Sequence, residues 1–147
     1  MEKKDIISHL KQSIDEKLIA IQRRFDDLKS DLASDHKSSA GDKHETSRAM
    51  IQLEQEKLSS QLSQFTQQKE TISILNTEPT EKTQLGSLVK TTNGIFYLSI
   101  GLGKINIHNE TIFCISASSP IGQLLLSKKK GDSIQFNGNS ILIEEVV

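Results

Sequence analysis

The chain has 147 residues and a formal net charge of -1, which is enough for one ordinary domain or two small ones and gives no overall attraction to nucleic acid or anionic lipid. Its single cysteine, Cys114, excludes an internal disulfide and a cysteine-rich zinc finger. The charged N-terminal residues and the lack of a long apolar run predict a cytoplasmic protein without a membrane contact.

The first half of the chain carries two stretches with an apolar residue at every third or fourth position. Neither residues 4–34 nor residues 45–75 contain glycine or proline, so we expect two long amphipathic helices. Because the connection between them is short, their narrow apolar stripes can bury each other in an antiparallel coiled-coil hairpin. The predicted stripes are Ile7, Leu10, Ile14, Leu18, Ile21, Phe25, Leu28 and Leu32 in the first helix, and Met50, Leu53, Leu58, Leu62, Phe65, Ile72 and Leu75 in the second.

The composition of the chain changes after residue 76. Residues 77–83 are polar and contain a proline, as is typical of a linker. Short runs rich in β-branched residues follow, separated by turn signals such as Asn93-Gly94. Within "SSPIGQLLL" we predict one short helix, with Ser119 as N-cap and Pro120 at the first helical position. The strand connections look too short for crossovers, so we expect a mainly antiparallel sheet.

The sequence therefore predicts an α+β protein in two parts. We expect the coiled-coil hairpin in residues 1–76, with its tip at residues 36–44. After the linker at residues 77–83, a small α+β domain fills residues 84–147.

The predicted tip carries two acids three positions apart, Asp42 and Glu45. One interpretation is a helix cap, with Asp42 as N-cap and Glu45 at the third helical position. The other is that these carboxylates are the functional end of the protein, and the two roles are compatible because a capping carboxylate keeps unused lone pairs. His36 and His44 flank the turn, but no ligand spacing supports zinc or nickel, so we expect no metal site of the chain's own.

Two stretches resemble the Gre family of bacterial transcript-cleavage factors, which bind RNA polymerase. The stretch "GDKHETSRA" is similar to the tip motif of that family in Gly41, Asp42 and Glu45. It departs from the motif at Arg48 and Ala49, where the family has glutamate and tyrosine.

The second stretch, "SASSPIGQLLLSKKKGDSIQF", is the more specific of the two. It is similar to a family motif in Ser119, Pro120 and Ile121, and again in a lysine followed by Gly131 and Asp132. The order and spacing of the two predicted parts also agree with the family over nearly the whole chain.

The resemblance implies a fold, a partner and a mechanism. The fold would be a coiled-coil hairpin followed by a small antiparallel β domain with one short helix, like that of the FK506-binding prolyl isomerases. The protein would be a transcription elongation factor whose hairpin enters the secondary channel of RNA polymerase. There Asp42 and Glu45 would help to hold Mg²⁺ and water, so that the polymerase hydrolyses a backtracked transcript. Carboxylates suit this task because Mg²⁺ prefers oxygen ligands and keeps several waters.

On this interpretation the chain is not itself an enzyme and has no cofactor of its own, because the Mg²⁺ belongs to RNA polymerase. The nascent RNA 3′ end would be a second contact of the tip. Docking on the polymerase would use Ser119, Pro120 and Ile121, and we expect a monomer.

Two alternatives remain open at this point. Cations and acids alternate around the tip, so it would attract Mg²⁺ weakly, and the protein would then occupy the channel as a regulator without stimulating cleavage strongly. The alternating residues are Lys37, Lys43 and Arg48 among Asp35, Asp42 and Glu45. The other alternative is an adaptor or oligomerisation module that pairs through its hairpin stripes.

Two further features have structural explanations. The run of lysines at 128–130 is expected at the C-terminus of the short helix, where cations complement the helix dipole. Cys114 lies in the alternating run "TIFCIS", which favours a packing role over a nucleophilic one.

Overall fold

The computed structural model describes residues 2–36 and 41–147, and it describes side chains in residues 2–33 and 45–147. The described residues form two long helices, six strands and one short helix, as the sequence predicts. In chain order these are α1 (Lys3–His36), α2 (Gly41–Ser73), β1 (Leu88–Thr91), β2 (Gly94–Ser99), β3 (Gly103–Ile107), β4 (Glu110–Ser116), α3 (Pro120–Leu125), β5 (Ser133–Phe136) and β6 (Asn139–Val146). The predicted α+β fold class is confirmed.

The chain divides into two compact units. The hairpin unit is Gln12–Lys69, and the sheet unit combines Met1–Lys11 with Glu70–Val147. The first turns of α1 and the last turn of α2 therefore belong to the sheet unit.

The two helices of the hairpin unit are antiparallel. Arg24 of α1 forms an ion pair with Glu54 of α2, while the earlier Asp15 pairs with the later Lys69. Positions that come earlier in α1 thus meet positions that come later in α2. The predicted helical hairpin is confirmed.

An apolar seam lies between the helices of the hairpin unit. Ile21, Leu28 and Leu58 form its buried core, with 6%, 1% and 8% of their surfaces exposed. The half-buried side chains that pack against this core are Phe25, Ile51 and Phe65. At about 25 cal/mol per Å² of buried apolar surface, such a seam stabilises the helices far more than their intrinsic propensity does.

The apolar stripe of α2 differs in part from the predicted one. Met50 and Leu53 are 66% and 65% exposed, so their assignment to the stripe is wrong. The apolar side chains that face the seam are instead Ile51, Leu58 and Phe65, spaced seven residues apart. The prediction failed because it counted apolar residues only, whereas several inward positions of α2 between these three are polar.

The six strands of the sheet unit form one mixed sheet in the order β3-β4-β2-β1-β6-β5. Four of the strand pairings in the described chain are antiparallel, as expected, but β2 and β4 are parallel. The parallel pair arises because β3 lies at the edge of the sheet, beyond β4, and runs antiparallel to it. The chain returns along β3 and therefore enters β4 in the same direction as β2. A strand thus serves as the crossover that the sequence did not seem to allow.

The sheet has buried side chains on both faces. On one face, Val89 and Phe96 form a core with Leu125 of α3. Because successive residues of a strand point to opposite faces, Tyr97 and Cys114 lie on the other face, and they are 0% and 1% exposed. The ends of α1 and α2 that belong to this unit contribute further fully buried side chains, namely Ile6, Leu10 and Ile72.

Burial accounts for the chemistry of the single thiol. It raises the pKa of Cys114 to about 12, because the charged thiolate is disfavoured away from water. A thiol with such a pKa is almost entirely protonated at neutral pH and is a poor nucleophile. The position of Cys114 in the sheet therefore matches a packing role.

Candidate functional site

The acid pair lies at the start of α2. This helix begins at Gly41, earlier than the predicted residue 45, so Asp42 stands inside its first turn and Glu45 one turn further along. Residues three apart on a helix lie on the same side of it. The Glu45 side chain is exposed. The side chains of Asp42, His36 and His44 lie outside the described residues. Because α2 begins at Gly41, Asp42 is its second residue and Glu45 its fifth, so the prediction of Asp42 as N-cap and Glu45 at the third helical position is wrong.

An ion pair between two half-exposed side chains joins the two helices of the hairpin unit. Arg24 donates two hydrogen bonds to the Glu54 carboxylate, from Nε to Oε1 at 2.6 Å and from Nη2 to Oε2 at 2.8 Å. This two-point geometry fixes the relative orientation of both groups, as a single contact would not. Hydrogen bonding by Arg24 lowers the pKa of Glu54, and the same contact raises the pKa of Arg24.

Sequence reasoning missed this pair, although the spacing of α2 contains the signal for it. If Ile51 and Leu58 occupy the a positions of successive heptads, Glu54 occupies the d position between them, which also faces the other helix. A carboxylate at such a position lies within reach of a cation on the facing helix, and Arg24 supplies it. The pair therefore specifies how α1 and α2 align along the seam.

We expect the hairpin unit to lose stability as the pH falls below 4.5, the ordinary pKa of a glutamate. Because the folded pKa of Glu54 is depressed, its contribution is complete above that value and is lost as the pH falls through the lower folded pKa. Thermal unfolding followed by circular dichroism from pH 7 to pH 3 measures this dependence.

The matched comparison is Glu54→Gln against Glu56→Gln, since Glu56 is exposed and forms no ion pair within the described residues. Glu54→Gln should reduce the fall in melting temperature at acid pH, whereas Glu56→Gln should not change that fall. If the melting temperature falls equally at acid pH in the wild type and in Glu54→Gln, this role of the ion pair is contradicted.

Exposed apolar side chains lie beside the same ion pair on α2. Met50 and Leu53 stand three residues apart and are largely exposed. Shallow grooves next to them are lined by Arg24, Glu54 and apolar residues of the seam. Asp31, Ser47, Lys57 and Gln61 also line these grooves, so this surface of the hairpin unit mixes polar and apolar groups.

The Ser-Pro-Ile stretch forms the start of α3. Ser119 is the N-cap, as predicted: its Oγ accepts a hydrogen bond from the Gly122 N–H at 3.1 Å and donates one to the Ser116 carbonyl at 2.7 Å. Pro120 is exposed at the first helical position, and Ile121 packs against the core beside α3. The hydroxyl of Ser119 is thus occupied within the fold, and the docking role of these residues stays a prediction.

The lysine run does not lie where the sequence places it. The short helix α3 ends at Leu125, and its last turn contains no basic residue. Lys128 is three residues beyond that end, and the backbone turns at Ser127, where φ is 67°. The explanation of the run as a complement to the helix dipole is therefore wrong, because the dipole acts only within the last turn.

Within the part of the chain that the structure describes, no group of three or more His, Cys, Asp or Glu side chains is arranged to hold a metal ion. The described helices also contain no apolar segment long enough to cross a lipid bilayer.

No family model matches the sequence, and none of the curated proteins matches it. Solved structures of Gfh1 are similar to the chain. The GreA factor homolog 1 (Gfh1) of Thermus thermophilus is 16% identical, with a TM-score of 0.37 over 93% of this chain and 94% of that one. A structure described as the transcription factor Gfh1 is 17% identical, with a TM-score of 0.36 over 92% of both chains. Gfh1 of Thermus aquaticus is 15% identical, with a TM-score of 0.32 over 92% of both chains. These neighbours are GreA-like proteins, and the similarity concerns the fold alone.

Proposed function

We propose that the protein is a transcription elongation factor of the Gre type, which binds RNA polymerase and inserts its hairpin into the secondary channel. The observation that carries this proposal is the hairpin unit itself. Two antiparallel helices share a buried seam, and an acid pair in α2 lies at the end where the helices are connected.

The length of α1 and the contacts between the helices of the hairpin unit support this proposal. From Gln12 to the end of α1 at His36, the helix rises about 37 Å at about 1.5 Å per residue. The apolar seam and the Arg24–Glu54 ion pair hold the two helices in one alignment. Two paired helices of this length can carry one end of the hairpin unit to a buried active site.

The chemistry at that end belongs to Asp42 and Glu45. Both positions lie on one side of α2, and Glu45 is exposed. Carboxylates there can complete the shell of a Mg²⁺ ion held by RNA polymerase and accept a hydrogen bond from its bound water. In this role the chain positions oxygen ligands, while the polymerase hydrolyses the phosphodiester bond of a backtracked transcript.

A regulator that occupies the channel without stimulating cleavage is the second form of the same proposal. The lysines and the arginine among the tip acids favour it, because they reduce the local negative charge that attracts a cation. In this form the acid pair serves chiefly to complement the positive end of the α2 dipole.

A backtracked elongation complex with labelled RNA tests these forms against each other. The wild type is compared with the double variant Asp42→Asn, Glu45→Gln and with the control Asp27→Asn, Glu56→Gln, which changes two exposed acids outside the tip. Loss of cleavage in the tip variant alone supports action at the Mg²⁺ site. Absence of cleavage in every variant, with binding retained, supports the channel regulator, whereas absence of binding to the polymerase overturns the proposal.

The adaptor function is favoured by one observation, the exposed pair Met50 and Leu53. If the hairpin pairs with a second copy of the chain through this surface, sedimentation equilibrium will show a dimer that Met50→Ser, Leu53→Ser converts to a monomer. A concentration-independent monomer in the wild type excludes that self-pairing.

A further inference from the structure

A cavity of about 470 Å³ lies in the sheet unit between the start of α1 and the paired strands β1 and β6. Its walls include Lys3 of α1, Leu88 of β1 and Val147, which follows β6. Val89 and Val146 point to the face of the sheet that packs against α3, so the strand residues beside them that line the cavity point to the opposite face. We call this space the Lys3 cavity. Its volume is typical of small-molecule sites, which measure about 300–1,000 Å³.

Lys3 is a buried cation at the wall of this cavity, with 6% of its surface exposed. Its Nζ donates a hydrogen bond to the Glu78 carbonyl at 2.9 Å, although an ammonium group has three N–H donors. Lys3 forms no ion pair with any residue that the structure describes. Burial lowers the pKa of Lys3, and the charge of Glu78 opposes this in part. A buried charge without a counter-ion is costly, and a bound anion would supply the counter-ion.

The charged side chains that line the Lys3 cavity indicate which anion fits it. Three are cations, Lys3, Lys4 and Lys90, and two are acids, Glu2 and Glu145. Lys90 and Glu145 already form an ion pair, with 3.6 Å between Nζ and Oε2. The lining side chains therefore carry an excess of one positive charge. A singly charged carboxylate balances this excess, whereas a doubly charged phosphate would be repelled more strongly by the two acids.

The Lys3 cavity also has an apolar wall. The Leu88 N–H donates to the Val147 carbonyl at 3.0 Å, and the Val147 N–H donates to the Leu88 carbonyl at 2.9 Å. Residues that lie opposite each other in this way have neighbouring side chains on one face of the sheet. An apolar group attached to the carboxylate can cover these two side chains, and its burial contributes about 25 cal/mol per Å².

We propose that the Lys3 cavity binds a small monocarboxylate with an apolar body. The carboxylate accepts hydrogen bonds from the Lys3 ammonium, and the apolar body covers Leu88 and Val147. This site goes beyond the proposed action of the hairpin, and it involves neither the tip acids nor the polymerase.

Isothermal titration calorimetry of the full chain with sodium benzoate at pH 7 tests this proposal. Benzoate has one negative charge and an apolar ring, benzamide has nearly the same shape without the charge, and phenyl phosphate carries additional charge. We expect benzamide and phenyl phosphate to bind about tenfold more weakly than benzoate, since a hydrogen bond to a charged group is worth about 1.5–3 kcal/mol. Lys3→Met keeps an apolar stem and removes the ammonium, so it should also weaken benzoate binding about tenfold. The control Lys104→Met removes the same charge at an exposed position of β3 and should bind benzoate like the wild type.

Equal benzoate affinities of the wild type and Lys3→Met would overturn the proposal, as would equal affinities of the wild type for benzoate and benzamide. No binding of benzoate to the wild type at millimolar concentration would overturn it as well. Tighter binding of phenyl phosphate than of benzoate would overturn the assignment to a monocarboxylate.

A second measurement does not require the variant to fold. In the wild type, benzoate should shift the methyl resonances of Leu88 and Val147 in NMR spectra. Shifts confined to residues outside the Lys3 cavity would contradict the proposed position of the site. None of these outcomes depends on the cleavage assay, so this proposal and the proposed function can fail separately.

Discussion

Replacing Gly122 with alanine is expected to destabilise the sheet unit strongly. A Cβ atom at this position would clash with the Ser116 carbonyl oxygen and lie 2.8 Å from Ser119 Oγ. Neither atom can easily move away, because both take part in the cap that starts α3. The clash therefore forces the helix off the sheet or breaks the cap, at a cost of about 3 kcal/mol, the upper end of typical overpacking costs.

Chemical denaturation followed by circular dichroism measures this cost, and Gly101→Ala is the matched control. A Cβ at Gly101 would meet nothing within 4 Å, so that variant should change the free energy of unfolding by less than about 0.5 kcal/mol. If Gly122→Ala is as stable as Gly101→Ala, the described packing of α3 against the end of β4 is wrong.

Replacing Leu28 with alanine is expected to destabilise the hairpin unit by about 2–5 kcal/mol. Leu28 is 1% exposed and belongs to the seam core with Ile21 and Leu58. The truncation removes buried apolar surface and leaves a cavity between two helices that can close it only in part. Helical circular dichroism should therefore show an earlier unfolding transition for this variant.

The companion variant Met50→Ala separates the true seam from the predicted stripe. Met50 is 66% exposed, so its truncation should cost no more than about 0.5 kcal/mol. Comparable losses for Met50→Ala and Leu28→Ala would mean that α2 is rotated relative to the described seam, with Met50 facing α1.

The sequence was sufficient to predict α1 and its buried face. Ile14, Ile21 and Leu28 were assigned to the stripe by their spacing, and all three are buried. The same reasoning failed for part of α2. Glu54 faces α1, whereas a prediction from apolar residues alone assigns every polar residue to the outer face of the helix. Glu54 pairs there with Arg24 of α1. The apolar spacing of α2 alone does not reveal which residue of α1 faces Glu54.

The strands and the short helix were predictable because their signals are local. The turn signal Asn93-Gly94 marks the hairpin correctly, since Thr92 and Asn93 form the turn and Gly94 begins β2. Ser119 caps α3, as its side-chain chemistry predicts. The parallel pairing of β2 with β4 was not predictable from loop lengths, because it depends on the position of β3 at the edge of the sheet. Strand order is a tertiary property, decided by which faces become buried.

The sequence identified the acids of the candidate site and, elsewhere in the chain, missed the juxtaposition of two lysines. Asp42 and Glu45 were found as a spaced pair within a recognisable motif. The pairing of Lys82 with Lys129 joins segments almost fifty residues apart, and only the bridge between them reveals it. Long-range juxtaposition of this kind leaves no periodic signal in a single sequence.

The central claim is that the hairpin enters the secondary channel of RNA polymerase, and site-specific photocrosslinking tests it most directly. A photoreactive amino acid replaces Ala49, which is exposed on α2 one turn from Glu45, and in a control replaces Lys104 of β3, which is exposed on the sheet unit. We expect position 49 to crosslink to polymerase segments that line the channel beside the catalytic Mg²⁺, and position 104 not to reach them. Crosslinks from position 49 only to the outer surface of the polymerase, or only to a second copy of this chain, would contradict the account.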